Sequence, residues 1–230
     1  MSVTALIPSA GSGRRMFNGR DDKPFLELKG KPLLSYVLSV LESSELIDSV
    51  VVIAKEKYVT EAKKVVESCE AGKVVDVIPG GETRTQSVRN GLAKIKAADD
   101  DIVLIHDGVR PFLTESAISA TVEAARQYGA AVLGVPCTST IKKVTGEDVI
   151  DETVDRTVLW EAQTPQAFRY GVINNAYGEF EDTDATDDSS FVERLGIKVR
   201  IVPGDRNNIK VTVPEDLMLA EAILETKTCE

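Results

Sequence analysis

"VTALIPSAGSGRRM", residues 3–16, is the stretch whose reading decides the fold. Its first half, residues 3–7, is a short apolar run without turn residues, and it reads as a buried strand. Its second half packs two glycines and two arginines into a few positions. The loop is not a P-loop, because no Lys-Ser/Thr pair follows the glycines at the required spacing. It is not a full dinucleotide fingerprint either, since Met16 stands where a third glycine would be. A strand feeding a glycine turn rich in fixed positive charge is nevertheless a natural cradle for phosphate. Small residues let backbone N–H groups approach the oxygens, and guanidinium offers donors in a rigid fork.

The pattern repeats outward from that stretch. Residues 32–43 place Leu33, Leu34, Val37, Leu38 and Leu41 at helical spacing behind Pro32. Residues 49–54 form a β-branched strand run. A helix over 57–69, a strand over 74–78, a helix over 83–96 and a strand over 102–106 follow. A helix over 115–128 and a strand over 130–135 come next. Continuous apolar strands separated by amphipathic helices predict an α/β fold, with a mainly parallel sheet covered on both faces. Between 136 and 157 the pattern turns to alternation around Thr145-Gly146-Glu147, which predicts a hairpin arm projecting from the sheet. Alternation returns over 198–202. Thr212 and Glu215 around Pro214 read as a capping box for a last helix. With no repeat or linker, 230 residues read as a single domain, 1–230, with 137–157 as its arm. Trp160 reads as a core residue.

Composition narrows the function. A net charge of −10 argues against non-specific binding to nucleic acid or a membrane surface. Against that acidic background, residues 14–31 carry Arg14, Arg15, Arg20, Lys23, Lys29 and Lys31, opposed only by Asp21, Asp22 and Glu27. Cys69, Cys137 and Cys229 are far apart and predict reduced thiols in a cytoplasmic protein. No signal peptide or membrane span is legible.

Ligands of open α/β sheets bind beyond the carboxyl ends of the strands. The residues there are the glycine–arginine loop with Lys23, the stretch "PGGETRTQS" with Thr83, Arg84 and Ser87, and "DGVRP" with Asp107. "QTPQAF" and "NNIKVT" follow later. Asp107 caps a turn or holds Mg²⁺, which needs one or two carboxylates when substrate phosphates supply the rest. His106 is the sole histidine, a general base or a packed scaffold residue. Thr186 stands where a helix into Phe191 and Leu195 begins, a capping position. No nucleophile–histidine set, no G-x-S-x-G elbow and no carboxylate pair is present. That inventory fits transfer at phosphorus, where positioning and charge neutralisation carry most of the catalysis. A phosphate nucleophile is largely dianionic at neutral pH and needs no general base.

"PSAGSGRRM", Lys23, "GGETRTQSV", "HDGVRP", "TVDRTVLWEAQTPQAF", "ATDDSSF" and "NNIKVTVPEDL" occur in that order along nearly the whole chain. The set resembles the 2-C-methyl-D-erythritol 4-phosphate cytidylyltransferases of the non-mevalonate isoprenoid pathway. The resemblance implies a Rossmann-like nucleotidyltransferase fold. It implies attack of methylerythritol 4-phosphate on the α-phosphorus of CTP, with pyrophosphate released. Pro8, Ser9, Ala10, Gly11 and Gly13 would wrap the triphosphate, and Arg15 and Lys23 would stabilise the transition state. Asp107 would bind Mg²⁺. Gly81, Glu82 and Ser87 would read the cytosine, with Arg84 on the same nucleotide-binding surface. Arg156 and Lys210 would hold the acceptor phosphate for attack, beside Thr140, Thr164 and Thr186. The arm would exchange across a homodimer, so that Thr140 and Arg156 serve the partner's site. Ser9, Pro24 and Glu82 depart from the family's usual alanine, glutamine and aspartate. Two alternatives stay open: a cytidylyltransferase for ribitol 5-phosphate, and a catalytically silent nucleotide-binding regulator.

Overall fold

The computed structural model describes residues 1–10, 23–180 and 185–227. Gly11, Gly13 and Arg15 lie outside the described residues. The chain opens with β1 (Val3–Pro8), the small antiparallel pair β2 (Glu27–Leu28) and β3 (Lys31–Pro32), and α1 (Leu33–Ser43). It continues through β4 (Ser49–Ala54), α2 (Val59–Ser68), β5 (Val74–Pro79), α3 (Arg84–Leu92) and β6 (Ile102–Ile105). Then come α4 (Glu115–Tyr128), β7 (Ala130–Pro136) and the hairpin of β8 (Ile141–Val144) and β9 (Ile150–Val154). The last elements are β10 (Trp160–Arg169), α5 (Tyr170–Glu179), α6 (Ser189–Arg194), β11 (Arg200–Pro203) and α7 (Pro214–Lys227).

Seven strands form one sheet in the order β11-β7-β10-β6-β1-β4-β5. All neighbours are parallel except β10, which runs antiparallel to both β6 and β7. The period of two sorts each central strand onto two cores. Val3, Ala5 and Ile7 of β1 face the core built with Leu34, Leu38 and Leu41 of α1 and Ile118 and Val122 of α4. Leu6 of the same strand faces the opposite core, with Val88 and Leu92 of α3, Ile173 of α5 and Phe191 of α6. A third cluster seats α7 on Leu28, Leu33 and Phe112. The expectation of a mainly parallel sheet covered on both faces is met.

Local chemistry explains the boundaries. Thr83 caps α3 by accepting from the Gln86 N–H, and Thr114 caps α4 by accepting from the Ala117 N–H. Gly129, at φ +88°, ends α4 in the left-handed conformation that glycine tolerates. The helix predicted over 83–96 stops at Leu92, and residues 93 and 94 continue only as turns. Gly91, a weak helix former, lies one residue before that end. The capping box before α7 is shifted by one residue. Asp216, not Glu215, reaches back to accept from the N–H groups of Thr212 and Val213 and from the Thr212 hydroxyl. Pro214 takes the first helical position, which moves the third to Asp216. Before α6, Asp187 rather than Thr186 accepts from the Ser190 N–H. Trp160 is not core; it is 39% exposed where β10 begins opposite Pro136. The hairpin forms around the expected turn, and Val144, Val149 and Ile150 on it are exposed.

Candidate active site

Strand order reverses at β1. The chain runs from β1 to β4 and β5 on one side, then crosses to β6 on the other. Such a switch point opens a crevice at the carboxyl ends of the two central strands. Here Ser9 and Ala10 leave β1 and Asp107 and Gly108 follow β6. The two exits touch: a Cβ on Gly108 would stand 2.2 Å from the Ser9 Oγ. That hydroxyl is buried and has no hydrogen-bond partner among the described residues. On the other flank a Cβ on Gly80 would meet Ala10 Cβ at 2.4 Å and Ser87 Oγ at 2.7 Å. Glycine at 80 and 108 therefore lets three strand ends close to contact distance.

Asp107 is the charge centre of this crevice. Its Oδ2 accepts from Lys210 Nζ at 2.8 Å and faces Arg110 Nε at 3.6 Å. Its Oδ1 faces Arg84 Nε at 3.3 Å. Burial alone would favour the neutral acid. The charges of Lys210, Arg84 and Arg110 override it and hold the carboxyl well below the ordinary carboxylate range. The group is therefore an anion at any physiological pH.

A buried relay fixes the backbone beneath it. The Asp107 N–H donates to Thr164 Oγ1 at 3.0 Å, and Thr164 Oγ1 lies 3.1 Å from His106 Nδ1. His106 Nε2 lies 3.1 Å from the Arg110 carbonyl. A carbonyl only accepts, so Nε2 carries the hydrogen and Nδ1 accepts from the threonine. Burial, the largest influence, pushes the imidazole down to about 4. His106 is thus a neutral scaffold residue, the second of the readings that the sequence left open. Thr164 is buried as well, with its hydroxyl committed to this relay.

The remaining site residues arrive from distant segments. Lys23 Nζ donates to the Thr212 carbonyl at 2.9 Å, across 189 residues of chain. That segment also carries Lys210, so Lys23 stands on the same side of the sheet as Asp107. Ser87 Oγ accepts from the Gly81 N–H and donates to the Thr83 carbonyl, which shapes the glycine pair. The Glu82 N–H donates to Gln86 Oε1, and Glu82 itself is exposed. Arg156 is exposed and donates to the Thr138 carbonyl at the root of the hairpin. Thr140, after β7, and Thr186, before α6, are exposed. Pro8, Ser9, Ala10, Lys23, Gly81, Ser87, Arg84, Asp107 and Lys210 are thus drawn to one end of the sheet. Thr140 and Arg156 stand off on the arm.

Sequence reasoning missed three contributors. Arg110 lies within the quoted "DGVRP" and returns to Asp107, while its guanidinium also donates to the Asn208 carbonyl. Asp188 and Tyr177 hold Arg84 from the far side: Arg84 donates to both Asp188 oxygens at 2.9 and 2.6 Å, and Tyr177 O–H donates to Oδ1 at 2.5 Å. The doubled aspartate of "ATDD" was the available signal.

Among the described residues no group of three or more His, Cys, Asp or Glu stands together. A single ionised carboxylate does fit Mg²⁺ when a substrate brings phosphate, because the ion takes one or two carboxylates and completes its shell with phosphate oxygens and water. Among the described residues Asp107 Oδ1 meets just the long contact from Arg84 and keeps lone-pair capacity for it.

The comparisons with known proteins agree with one another. The family described as 2-C-methyl-D-erythritol 4-phosphate cytidylyltransferase matches residues 3–226. A protein of that name from Syntrophotalea carbinolica is 46% identical over 229 residues, covering 98% of this chain and 97% of the relative. One from Geotalea uraniireducens is 46% identical over 235 residues and covers 100% of both chains. Among solved structures, the 4-diphosphocytidyl-2C-methyl-D-erythritol synthase of Anaerococcus prevotii superposes with a TM-score of 0.85 at 29% identity, covering 97% of this chain and 96% of that one. The cytidylyltransferase of Thermus thermophilus gives a TM-score of 0.76 at 30% identity, covering 98% and 100%.

Proposed function

The chain belongs to the 2-C-methyl-D-erythritol 4-phosphate cytidylyltransferase family, and from that premise we propose how its own residues divide the work. The enzyme transfers CMP from CTP to 2-C-methyl-D-erythritol 4-phosphate, in the non-mevalonate route to isoprenoids. An oxygen of the acceptor phosphate bonds to the α-phosphorus, the α–β bridge breaks, and pyrophosphate leaves. The product is 4-diphosphocytidyl-2-C-methyl-D-erythritol. Neither the ribitol phosphate alternative nor the silent regulator is favoured by the family match.

The observation that carries the division of roles is the convergence on Asp107. Lys210, Arg84 and Arg110 surround its buried carboxylate, and Lys23 is anchored two residues beyond Lys210. These fixed charges suit a reaction in which negative charge spreads over transferring and leaving oxygens. Pro8, Ser9 and Ala10, with Gly11 and Gly13, cradle the triphosphate, and Arg15 and Lys23 act on the charge that develops during transfer. Gly81, Glu82 and Ser87 read the cytosine, with Arg84 behind them. Asp107 holds Mg²⁺ delivered with the nucleotide; the ion supplies charge neutralisation at the phosphates. Lys210, Arg156, Thr140 and Thr186 face the acceptor, and Thr164 serves that side through the relay that sets Asp107. The exposed Val144, Val149 and Ile150 of the hairpin support an arm that pairs with a second copy in a homodimer. Charge and the absence of a long apolar helix among the described residues fit a cytoplasmic protein acting on small phosphates.

Pyrophosphate release tests the assignment. CTP, Mg²⁺ and methylerythritol 4-phosphate together are expected to release it. Replacing CTP by another nucleoside triphosphate, or the acceptor by ribitol 5-phosphate, is expected to reduce turnover sharply. Equal turnover with ribitol 5-phosphate would transfer the enzyme to the sister activity.

A further inference from the structure

Arg84 is shared between two carboxylates, and the sharing is unequal. Its fork donates to both oxygens of Asp188, at 2.9 and 2.6 Å, while only its Nε faces Asp107, at the longer 3.3 Å. Asp188 has no exposed surface and is gripped from behind by the Tyr177 hydroxyl. Tyr177 is itself held, because Arg89 donates to its carbonyl and stacks its guanidinium over the ring. A bidentate fork is the geometry in which guanidinium binds carboxylate most strongly. Here that geometry is given to Asp188, which is fully buried.

We propose that Asp188 is a positioning residue that holds the Arg84 fork off Asp107, so that Asp107 Oδ1 stays open to a divalent cation. The inference rests on the assignment of Asp107 to the metal. Without the Asp188 charge, the nearest anion to Arg84 is Asp107. The fork then turns to it, and the carboxylate is closed by Arg84 on one oxygen and Lys210 on the other. The same tie fastens the start of α3, which carries the nucleotide-facing loop, to the start of α6. The Ala185 N–H adds a second tie by donating to Thr85 Oγ1 at 3.3 Å. Asp188 therefore links the openness of the metal carboxylate to the segment that bears Thr186.

Binding of Mn²⁺ to the enzyme with saturating CTP and no acceptor, followed by water-proton relaxation, reads this directly. Asp188→Asn is expected to weaken Mn²⁺ binding by about tenfold or more, the scale of losing an outer partner that positions a metal ligand. Removing the fork as well, in Asp188→Asn/Arg84→Gln, is expected to restore binding to the wild-type level or beyond. A purely structural role for Asp188 predicts no such rescue, so a double variant as weak as the single one overturns the proposal. Unchanged binding in Asp188→Asn overturns it too. If Asp188→Asn fails to fold, Arg84→Gln alone decides: binding at least as tight as wild type supports the proposal, and weaker binding refutes it. Tyr177→Phe, which leaves all charges in place, is expected to keep wild-type Mn²⁺ affinity; a loss as large as that of Asp188→Asn counts against the proposal. Asp107→Asn is the control for the underlying assignment. If it binds Mn²⁺ as wild type does, the metal assignment fails and this inference falls with it.

Discussion

His106 sits beside a carboxylate ringed by three cations and yet carries no charge. Its imidazole is fully buried, donates to the Arg110 carbonyl and accepts from Thr164, and burial sets its value at about 4. In the unfolded chain the same group has its ordinary value of 6.5. Below that pH the unfolded state takes a proton that the folded state refuses, so this contribution is complete above 6.5 and is lost as pH falls from 6.5 toward 4. Between pH 7.5 and pH 5 the loss is about 2 kcal/mol. Urea unfolding of wild type and His106→Gln, both in chelator, is expected to show their stability gap shrinking by that amount over this interval. A gap that stays constant would mean that the histidine is not held neutral. The same relay explains why a cytidylyltransferase with one histidine does not need it as a base: the residue orients Asp107.

At the scale of elements, the site is made by strand ends brought closer than side chains usually permit. Gly108→Ala would put a Cβ 2.2 Å from the Ser9 Oγ, in a place where Ser9 is buried. Such overpacking costs about 1–3 kcal/mol. Ser9→Ala in the same chain removes the clashing atom and is expected to recover most of the loss; a double variant no more stable than Gly108→Ala would show that the two exits do not touch. Much of this arrangement was legible in the sequence. Each parallel strand was found within two residues, because continuous β-branched runs such as "SVVVIA" have no competing helical reading. Asp107 and the glycine pair were also legible, because each follows a strand at the edge where ligands bind; Lys210 came from the family resemblance alone. The antiparallel β10 was not. It contains Pro165, which argues against a strand interior, and its ladder to β7 breaks between Ala162 and Gln166. The following α5, "YGVINNAYGE", holds two glycines and two asparagines, and its propensity is poor. Tertiary packing of Ile173, Ala176 and Tyr177 makes it a helix. The partners of Arg84 were hidden for the same reason: Tyr177 lies on that unread helix, and Asp188 lies in an acidic stretch that composition assigns to solvent.

For the whole molecule, the arm raises a question of ownership. Arg156 is braced on the Thr138 carbonyl, and neither is joined by a described contact to the Asp107 cluster. If the arm serves a second copy, an Arg156→Ala chain and a Lys23→Ala chain, coexpressed, make heterodimers with one intact site. Random assortment then restores about a quarter of wild-type activity. No recovery would place Arg156 in its own chain's site. The wider claim concerns charge gathered from the full length of the chain. Lys23, Asp107 and the segment 208–212 converge on one crevice, where fixed cations await charge that appears only during transfer. Single-turnover conversion of CTP, measured alongside CTP binding for wild type and Lys23→Ala, tests this most directly. The account predicts that the chemical step slows by about 10²–10³-fold, the scale of removing one preorganised transition-state donor, while CTP affinity changes little. Equal losses in rate and affinity would contradict it, because Lys23 would then bind the nucleotide without favouring its transfer.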